Sequence, residues 1–565
     1  MHANANPHEE YMIEANRAWW KEAVVYQIYP RSFMDSNGDG IGDIPGITSK
    51  LDYLEELGID VLWLSPIYQS PNDDNGYDIS DYHAIMPELG TMEDFDRLLA
   101  GVHERGMRLI MDLVVNHTSD EHSWFIESRS SKGNPRRDWY IWHPGKNGGP
   151  PNNWASCFGG PAWEYDKPTG EYYLHLFSRK QPDLNWLNPE VRQAVYAMMR
   201  WWLDKGIDGW RMDVINWMIK PEGLVDAPVP PGKENERHIF DAAHLLNNRG
   251  MHEVLREMNR DVLSRYDILT VGEAHELTPQ TGIDYIDEAR RELQTVFQFD
   301  ILYTEDDLVK RKQRVREWYE VARNRAWNTI TLSNHDTPRM VSRFGDDRRF
   351  RMESAKCLAA FLMTAPGTPY LLQGEEIGMT NVAFESIEDY NDIHMRTAYR
   401  VRIEAGEDPS ATFAELRPKS RDNARTPMQW DASPHAGFTP EEPWLKVNPN
   451  YGEINVENQC DNPDSVYHFY RKLIRLRKAN PALVYGDYRV YLETDPVLHM
   501  FTRSEKDRSF LIVLNHASAA CARTTPTELM AKKWRLCLAN YKRTHETLDD
   551  SLKLQPWEAR IYESC

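Results

Sequence analysis

What this 565-residue chain lacks limits what it can be. Cysteine is scarce. Cys157, Cys357, Cys460, Cys521, Cys537 and Cys565 are scattered without a C-x-x-C pair, so neither a disulfide framework nor a zinc site is expected. A reducing cytoplasm is the simplest home for such thiols. No run of about 18 uncharged apolar residues occurs, and Met1 to Ala18 is polar without an apolar stretch, so neither a membrane span nor a secretory leader is expected. Positive charge is in deficit: 66 Lys and Arg against 87 Asp and Glu leave a net charge of −21, spread without long runs. Such a surface repels nucleic acid and anionic membranes, so the expected partner is a neutral small molecule, and the chain itself is expected to be a monomer or a weak homo-oligomer. A dinucleotide fingerprint is absent too. Gly38-Asp-Gly-Ile-Gly42 is a weak echo of one, and the acids around it would repel a pyrophosphate.

What is present is a core and a repeat. Hydrophobic residues make up 41% of the chain and aromatics 11%, enough for a large buried interior in a chain longer than one ordinary domain. Strand-like apolar runs alternate with amphipathic stretches. Eight strands are expected, at about Val24–Tyr29, Asp60–Leu64, Arg108–Val114, Asp208–Asp213, Ile268–Val271, Gln294–Phe299, Thr329–Leu332 and Pro369–Leu372. Helices over Leu51–Leu57, Met92–Arg105 and Val191–Lys205 each stop before a glycine, as a left-handed cap requires. A doubly wound open sheet has the same alternation, but eight units with acids at the strand ends favour closure into a (β/α)8 barrel, an α/β fold. The barrel is expected to occupy residues 1–117 and 189–484. Residues 118–188, rich in Trp, Pro, Gly and Asn, are too long for a βα loop and read as an inserted subdomain after strand three. A second excursion, Gly374 to about Tyr451, carries Arg421-Asp-Asn-Ala-Arg-Thr-Pro427. After a helix at Ser465–Lys478, short alternating runs in 485–565 predict an antiparallel C-terminal β-sandwich domain.

Four segments end these strands in an acid or a histidine: Asp112-Leu-Val-Val-Asn-His117, Gly209-Trp-Arg-Met-Asp213, Thr270-Val-Gly-Glu273 and Leu332-Ser-Asn-His-Asp336. Cleaving a glycosidic bond with retention needs one carboxylate to attack and one carboxylic acid to donate a proton, about 5–5.5 Å apart. Asp213 and Glu273 are the candidate pair. Arg211 shares a strand face with Asp213 and should keep it ionised, whereas Glu273 needs a raised pKa to stay protonated. Asp336, His335 and His117 could grip hydroxyls of the sugar. Singly, each has a structural explanation in a salt bridge or a polar rim. Their arrival at one barrel end points to chemistry, because the C-terminal face of such barrels carries it. The sequon Asn116-His117-Thr118 lies inside this set, where a glycan could not fit. Asp35-Ser-Asn-Gly-Asp39-Gly-Ile41-Gly-Asp43 offers oxygen atoms at alternate positions around a glycine turn, as a calcium loop does, although its twelfth position is Gly46 and not glutamate.

The four segments resemble, in combination, the signature regions of the α-amylase superfamily of retaining glycoside hydrolases, from Trp19 to about Pro481. Asp74-Asn-Gly-Tyr-Asp78, Gln181-Pro-Asp-Leu-Asn-Trp186 and Arg425-Thr-Pro-Met-Gln-Trp430 are most similar to bacterial oligo-1,6-glucosidases and related α-glucosidases. The resemblance implies Asp213 as nucleophile, Glu273 as general acid/base and Asp336 as transition-state stabiliser. It implies Asp74 and Arg425 clamping the outer hydroxyls of a terminal glucose, Tyr77 stacking on its face, and His117, Arg211 and His335 holding the rest. It further implies Ca2+ held by Asp35, Asn37, Asp39, the Ile41 carbonyl and Asp43, with no organic cofactor. Val214, just after Asp213, goes with α-1,6 bonds in similar enzymes, where alanine or threonine goes with α-1,4. The expected activity is exo-hydrolysis of α-1,6-linked glucose from isomaltose-type oligosaccharides. The alternatives are an α-1,4-preferring maltase, a trehalose-acting enzyme, and a sucrose isomerase or transglucosylase. Isomerases carry an arginine-rich loop after strand six, whereas this chain has Phe299-Asp-Ile-Leu-Tyr-Thr-Glu-Asp-Asp307. The non-catalytic relatives, such as transporter heavy subunits, carry a membrane helix and lose acids that this chain keeps.

Overall fold

The computed structural model describes residues 17–565 apart from 233, 235, 305–306 and 543–546. The leader expectation falls largely on residues 1–16, outside the described ones, as do Glu305 and Asp306 of the segment after strand six. Aliphatic runs form eight parallel strands: β1 Val25–Ile28, β2 Val61–Leu64, β3 Arg108–Leu113, β4 Gly209–Met212, β5 Leu269–Gly272, β6 Thr295–Val296, β7 Thr329–Ile330 and β8 Thr368–Leu372. Sequence neighbours pair in parallel, and β1 also pairs with β8. Between β6 and β7 no ladder is formed among the described residues, and side chains span the seam: Thr329 Oγ1 donates to the Val296 carbonyl at 3.0 Å, and Gln298 Nε2 to Asn328 Oδ1 at 3.4 Å. The expected barrel is therefore nearly closed.

β6 and β7 are cut to two residues each. β6 stops at Val296 because Phe299–Leu302 turns helical, and β7 stops at Ile330 because the chain enters a turn in which Asn334 N donates to Thr337 Oγ1 at 3.0 Å. The helices stop near their expected glycines. The helix over Pro189–Lys205 ends on Gly206, whose φ of 113° needs a residue without a Cβ.

The strand period of two sorts the barrel's side chains into two shells. Val25, Val61, Trp63, Ile110, Leu269, Val271 and Tyr370 fill the interior. Tyr26, Leu62, Leu109, Trp210 and Met212 face the helices. The insertion carries a three-stranded antiparallel sheet of Trp142–His143, Trp163–Asp166 and Glu171–Leu174. Its core of Trp154, Trp163, Leu174 and Phe177 also takes in Val214 and Trp217 from the loop after β4. At the C-terminus five antiparallel strands run in the order Asp487–Tyr491, Leu498–Glu505, Arg508–Asn515, Ala559–Ser564, Trp534–Ala539. One face, with Phe501, Phe510 and Ile512, packs on the barrel helices. The other, with Met500, Leu511 and Val513, packs with Leu552 and Leu554 of a two-stranded sheet. Among the described residues no helix is long and apolar enough to cross a membrane.

Candidate active site

Towards the C-terminal end of each strand, the inward side chains change from apolar to polar. Val25 gives way to Gln27, Ile110 to Asp112, and Val271 to Glu273 just past β5. On β4 the inward series is Gly209, Arg211 and then Asp213 just past the strand. Gly209 has φ 147°, and a Cβ there would lie 2.0 Å from the Leu269 carbonyl oxygen, so only glycine lets β4 approach β5 this closely. That approach puts Arg211 in register with Asp112 on one side and Val271 on the other.

Asp213 and Glu273 meet at the two ends of one guanidinium. Arg211 Nη1 lies 2.6 Å from Asp213 Oδ1, and Nη2 lies 2.6 Å from Glu273 Oε2. Nη1 is also 2.6 Å from Asp112 Oδ1. Glu273 takes two further contacts, from Val214 N at 3.1 Å and from His275 Nε2 at 3.3 Å. Three buried carboxylates around a single cation carry a net negative charge in a poorly solvated place, which favours retention of a proton in the cluster. Burial pushes the Asp213 carboxyl well above its usual range, with Arg211 pulling the other way. Against burial, Arg211 and His275 hold Glu273 down to about 2. Arg211 serves both acids, and His275 adds its donor to Glu273, so the two carboxyls share one charge environment and titrate as a pair.

The other expected residues join the same network. Asp336 takes Arg425 Nη2 at 2.6 Å and His335 Nε2 at 3.0 Å. Against burial, His335, Arg425 and Arg421 hold its carboxyl well below the usual range. His335 Nδ1 faces Gln27 Nε2 at 2.7 Å, and its ring lies parallel to that of Tyr77 with centroids 5.4 Å apart. Tyr77 donates its hydroxyl to Asp112 Oδ2 at 3.2 Å. Asp74 accepts from Gln181 Nε2 at 3.2 Å and lies 3.6 Å from Arg421 Nη2. His117, buried and held down to about 4 by that burial, sits 3.2 Å from the same Gln181 nitrogen. Asp213, Glu273, Asp336, Asp74, Tyr77, His117, Arg211, His335 and Arg425 thus line one barrel mouth.

Beyond Gln27 and Gln181, four titratable or charged members of this network were not singled out from the sequence. Asp112 lies directly across the ladder from Arg211, and His275 alternates with Glu273, so both had a signal in strand period. Arg421 precedes Arg425 by one helical turn. Its partner Asp392, whose Oδ1 is 2.8 Å from Arg421 Nε, had none, because 29 residues separate the two.

The loop expected to hold a metal coils through three successive side-chain turns: Asn37 N donates to Asp35 Oδ1 at 3.0 Å, Asp39 N to Asn37 Oδ1 at 2.9 Å and Ile41 N to Asp39 Oδ1 at 2.9 Å. Thr439 Oγ1 donates to Asp35 Oδ2 at 2.6 Å and ties the loop to the second excursion. Asp43 caps the next helix through Gly46 N at 2.6 Å. All the available donors are oxygens, the set that suits a hard cation. Among the described residues no three acidic, histidine or cysteine side chains converge to hold a metal by themselves.

Residues 27–486 match the family model for the alpha-amylase catalytic domain. The chain is 55% identical over 559 residues to an oligo-1,6-glucosidase of Parageobacillus thermoglucosidasius, covering 97% of this chain and 99% of that one. Among solved structures, an isomaltulose synthase from Protaminobacter rubrum superposes with TM-score 0.93 at 43% identity, covering 97% of this chain and 100% of that one. A variant of the trehalulose synthase MutB gives TM-score 0.93 at 44% identity with the same coverage.

Proposed function

We propose that this chain, which belongs to the α-amylase family of glycoside hydrolases, is a retaining enzyme that removes a terminal α-linked glucose by double displacement. Its action on α-glucosyl bonds, as a glucosidase or a transglucosylase, follows from the family and its relatives. The observation that carries the mechanism is Arg211 joining Asp213 to Glu273 across one guanidinium. Asp213 attacks the anomeric carbon while Glu273 protonates the departing oxygen; Glu273 then takes a proton from the acceptor that releases glucose from Asp213. The proton held by the cluster must stand on Glu273 for the first step. Asp213 must be ionised to attack, and Arg211, which joins Asp112, Asp213 and Glu273, lets the three acids share that one proton. Asp336, pinned by Arg425 and His335, stays ionised and opposes the positive charge that grows on the ring. Asp74, Arg421 and Arg425 close the pocket behind a single glucose, with Tyr77, His117 and His335 as its walls.

The finer reading concerns the acceptor. Water acting on α-1,6 bonds is supported by the oligo-1,6-glucosidase relative, by Val214, and by the lack of an arginine-rich loop after β6. A sugar acceptor, with sucrose as donor, is supported by the two synthases whose structures this fold matches over nearly its whole length. Incubation with isomaltose, maltose, sucrose and trehalose, followed by chromatography, separates them. Fastest glucose release from isomaltose supports hydrolysis; isomaltulose or trehalulose from sucrose supports isomerisation; no turnover of any of the four defeats the whole reading. We also propose that the Asp35–Asp43 loop takes a structural Ca2+ through Asp35, Asn37, Asp39, the Ile41 carbonyl and Asp43.

A further inference from the structure

Lys220, in the loop after β4, is buried although it is a cation, and none of the steps above uses it. Its ammonium has three acceptors: Asp183 Oδ2 at 2.6 Å, the Trp217 carbonyl at 2.6 Å and Asn116 Oδ1 at 2.8 Å. Asp183 closes the insertion, and Asn116 follows β3. One charge thus ties the insertion and two strand ends together next to His117. An ammonium has only protons to offer, so the Asn116 carbonyl must face it and the Asn116 amide nitrogen must face away. That nitrogen donates to Asp183 Oδ2 at 3.2 Å and lies 3.2 Å from His117 Nδ1. With Nδ1 obliged to accept, the His117 proton sits on Nε2, which donates to the Tyr77 carbonyl at 3.1 Å. Gln181 beside it is fixed independently: its Oε1 accepts from Ser178 N at 2.9 Å, so its amide protons face Asp74 and Tyr77 O.

We propose that Lys220 is a positioning residue that sets the tautomer and orientation of His117 in the glucose pocket, through Asn116 and Asp183. Removing its charge takes the donor from the Asn116 carbonyl and leaves the 3.2 Å bond to Asp183 as the remaining hold against the amide turning over and presenting its carbonyl to Nδ1. It also leaves the Asp183 carboxylate unopposed beside the ring. Both changes favour a doubly protonated His117. The charged groups facing His117 are Asp183 from the insertion and Lys220 from the β4 loop; Asp74, from the loop after β2, acts through Gln181, and the Phe177 ring packs on the imidazole with centroids 5.2 Å apart. Burial disfavours the imidazolium and the Lys220 charge adds to that, while Asp183 works against both.

The inference rests on the pocket binding a glucosyl group, so the assay uses whichever of the four disaccharides the wild-type chain turns over fastest. A wild type inactive on all four removes the functional reading itself. With an active wild type, Lys220→Met should raise KM about tenfold with kcat changed less than about threefold. Because His117 would then take its second proton at higher pH, the acid limb of kcat/KM should move up. In Lys220→Met/Asp183→Asn neither charge is left alone. That variant should melt close to wild type, keep the raised KM because Asn116 is still free to turn, and return the acid limb towards wild type. Wild-type KM and acid limb in a folded Lys220→Met overturn the proposal. Should that variant not fold, wild-type KM in the double variant overturns it.

Discussion

Glu273 receives donors from three directions: Arg211 Nη2 at 2.6 Å, Val214 N at 3.1 Å and His275 Nε2 at 3.3 Å. His275 is the one that can be removed without disturbing Asp213. Its ring stacks on Phe299 with centroids 4.6 Å apart and planes 4° from parallel, so His275→Phe keeps a flat ring while losing the donor. Glu273 lies below its ordinary range partly through that donor, so its pKa must rise when the donor goes. An acid with a raised pKa keeps its proton to higher pH, and the basic limb of kcat/KM should move up; an unchanged limb would show that His275 does not tune Glu273. Val214 is strained, with φ 36° in a region that β-branched residues avoid, and its side chain packs with the insertion core against Phe177 and Trp217. Val214→Ala should fold and shift the ratio of isomaltose to maltose kcat/KM by about tenfold, the size of effect that a methyl-scale change allows. Equal ratios would remove Val214 from linkage choice. The acids themselves were legible because each ends a strand. The sharing of Arg211 between them was not, since it depends on the register between β3, β4 and β5.

Among the elements, the Asp35–Asp43 loop makes the sharpest prediction. Three side-chain turns coil it, and Asp35 is held by Thr439 from the second excursion, so a bound cation would brace two distant segments together. Exhaustive chelation should lower the melting temperature, and added CaCl2 should restore it; equal melting with and without Ca2+ would discard the metal. The strands and helices were readable wherever the signal was local. β1 to β5 and β8 lie within a residue or two of their expected bounds, and the helix over Pro189–Lys205 ends on the glycine that marked it. β6 and β7 are two residues each because their backbones are taken up by a helical turn and a side-chain-capped turn, which compete with the strand pattern over the same residues. The sheet of the insertion is short and irregular, and its strands do not alternate strongly enough to be seen beforehand.

At the scale of the whole molecule, the barrel and the C-terminal sheet are joined by cations bound to carbonyls. Arg503 reaches the Gly486, Thr364 and Val484 carbonyls at 3.1, 2.8 and 2.9 Å, and Lys312 reaches those of Leu492, Asp495 and Leu498 at 3.1, 2.7 and 3.1 Å. Arg503→Met leaves three buried carbonyls without their donor and should cost about 2–4 kcal/mol of stability. Denaturation in guanidinium would check it: an unchanged midpoint would mean that the joint is carried by apolar packing alone. Nothing in local periodicity announces such contacts, because Lys312 and its acceptors, and Arg503 and the Thr364 carbonyl, come from different layers of the fold. The account as a whole depends on two acids meeting across one sugar ring, and the reaction itself can be made to report this. In Glu273→Gln, treatment with α-glucosyl fluoride, whose leaving group needs no acid, should form a glucosyl-enzyme that is slow to hydrolyse. Digestion and mass spectrometry should then find one anhydroglucose unit on the peptide that contains Asp213. A label on another carboxylate, or turnover without any label, would contradict the assignment.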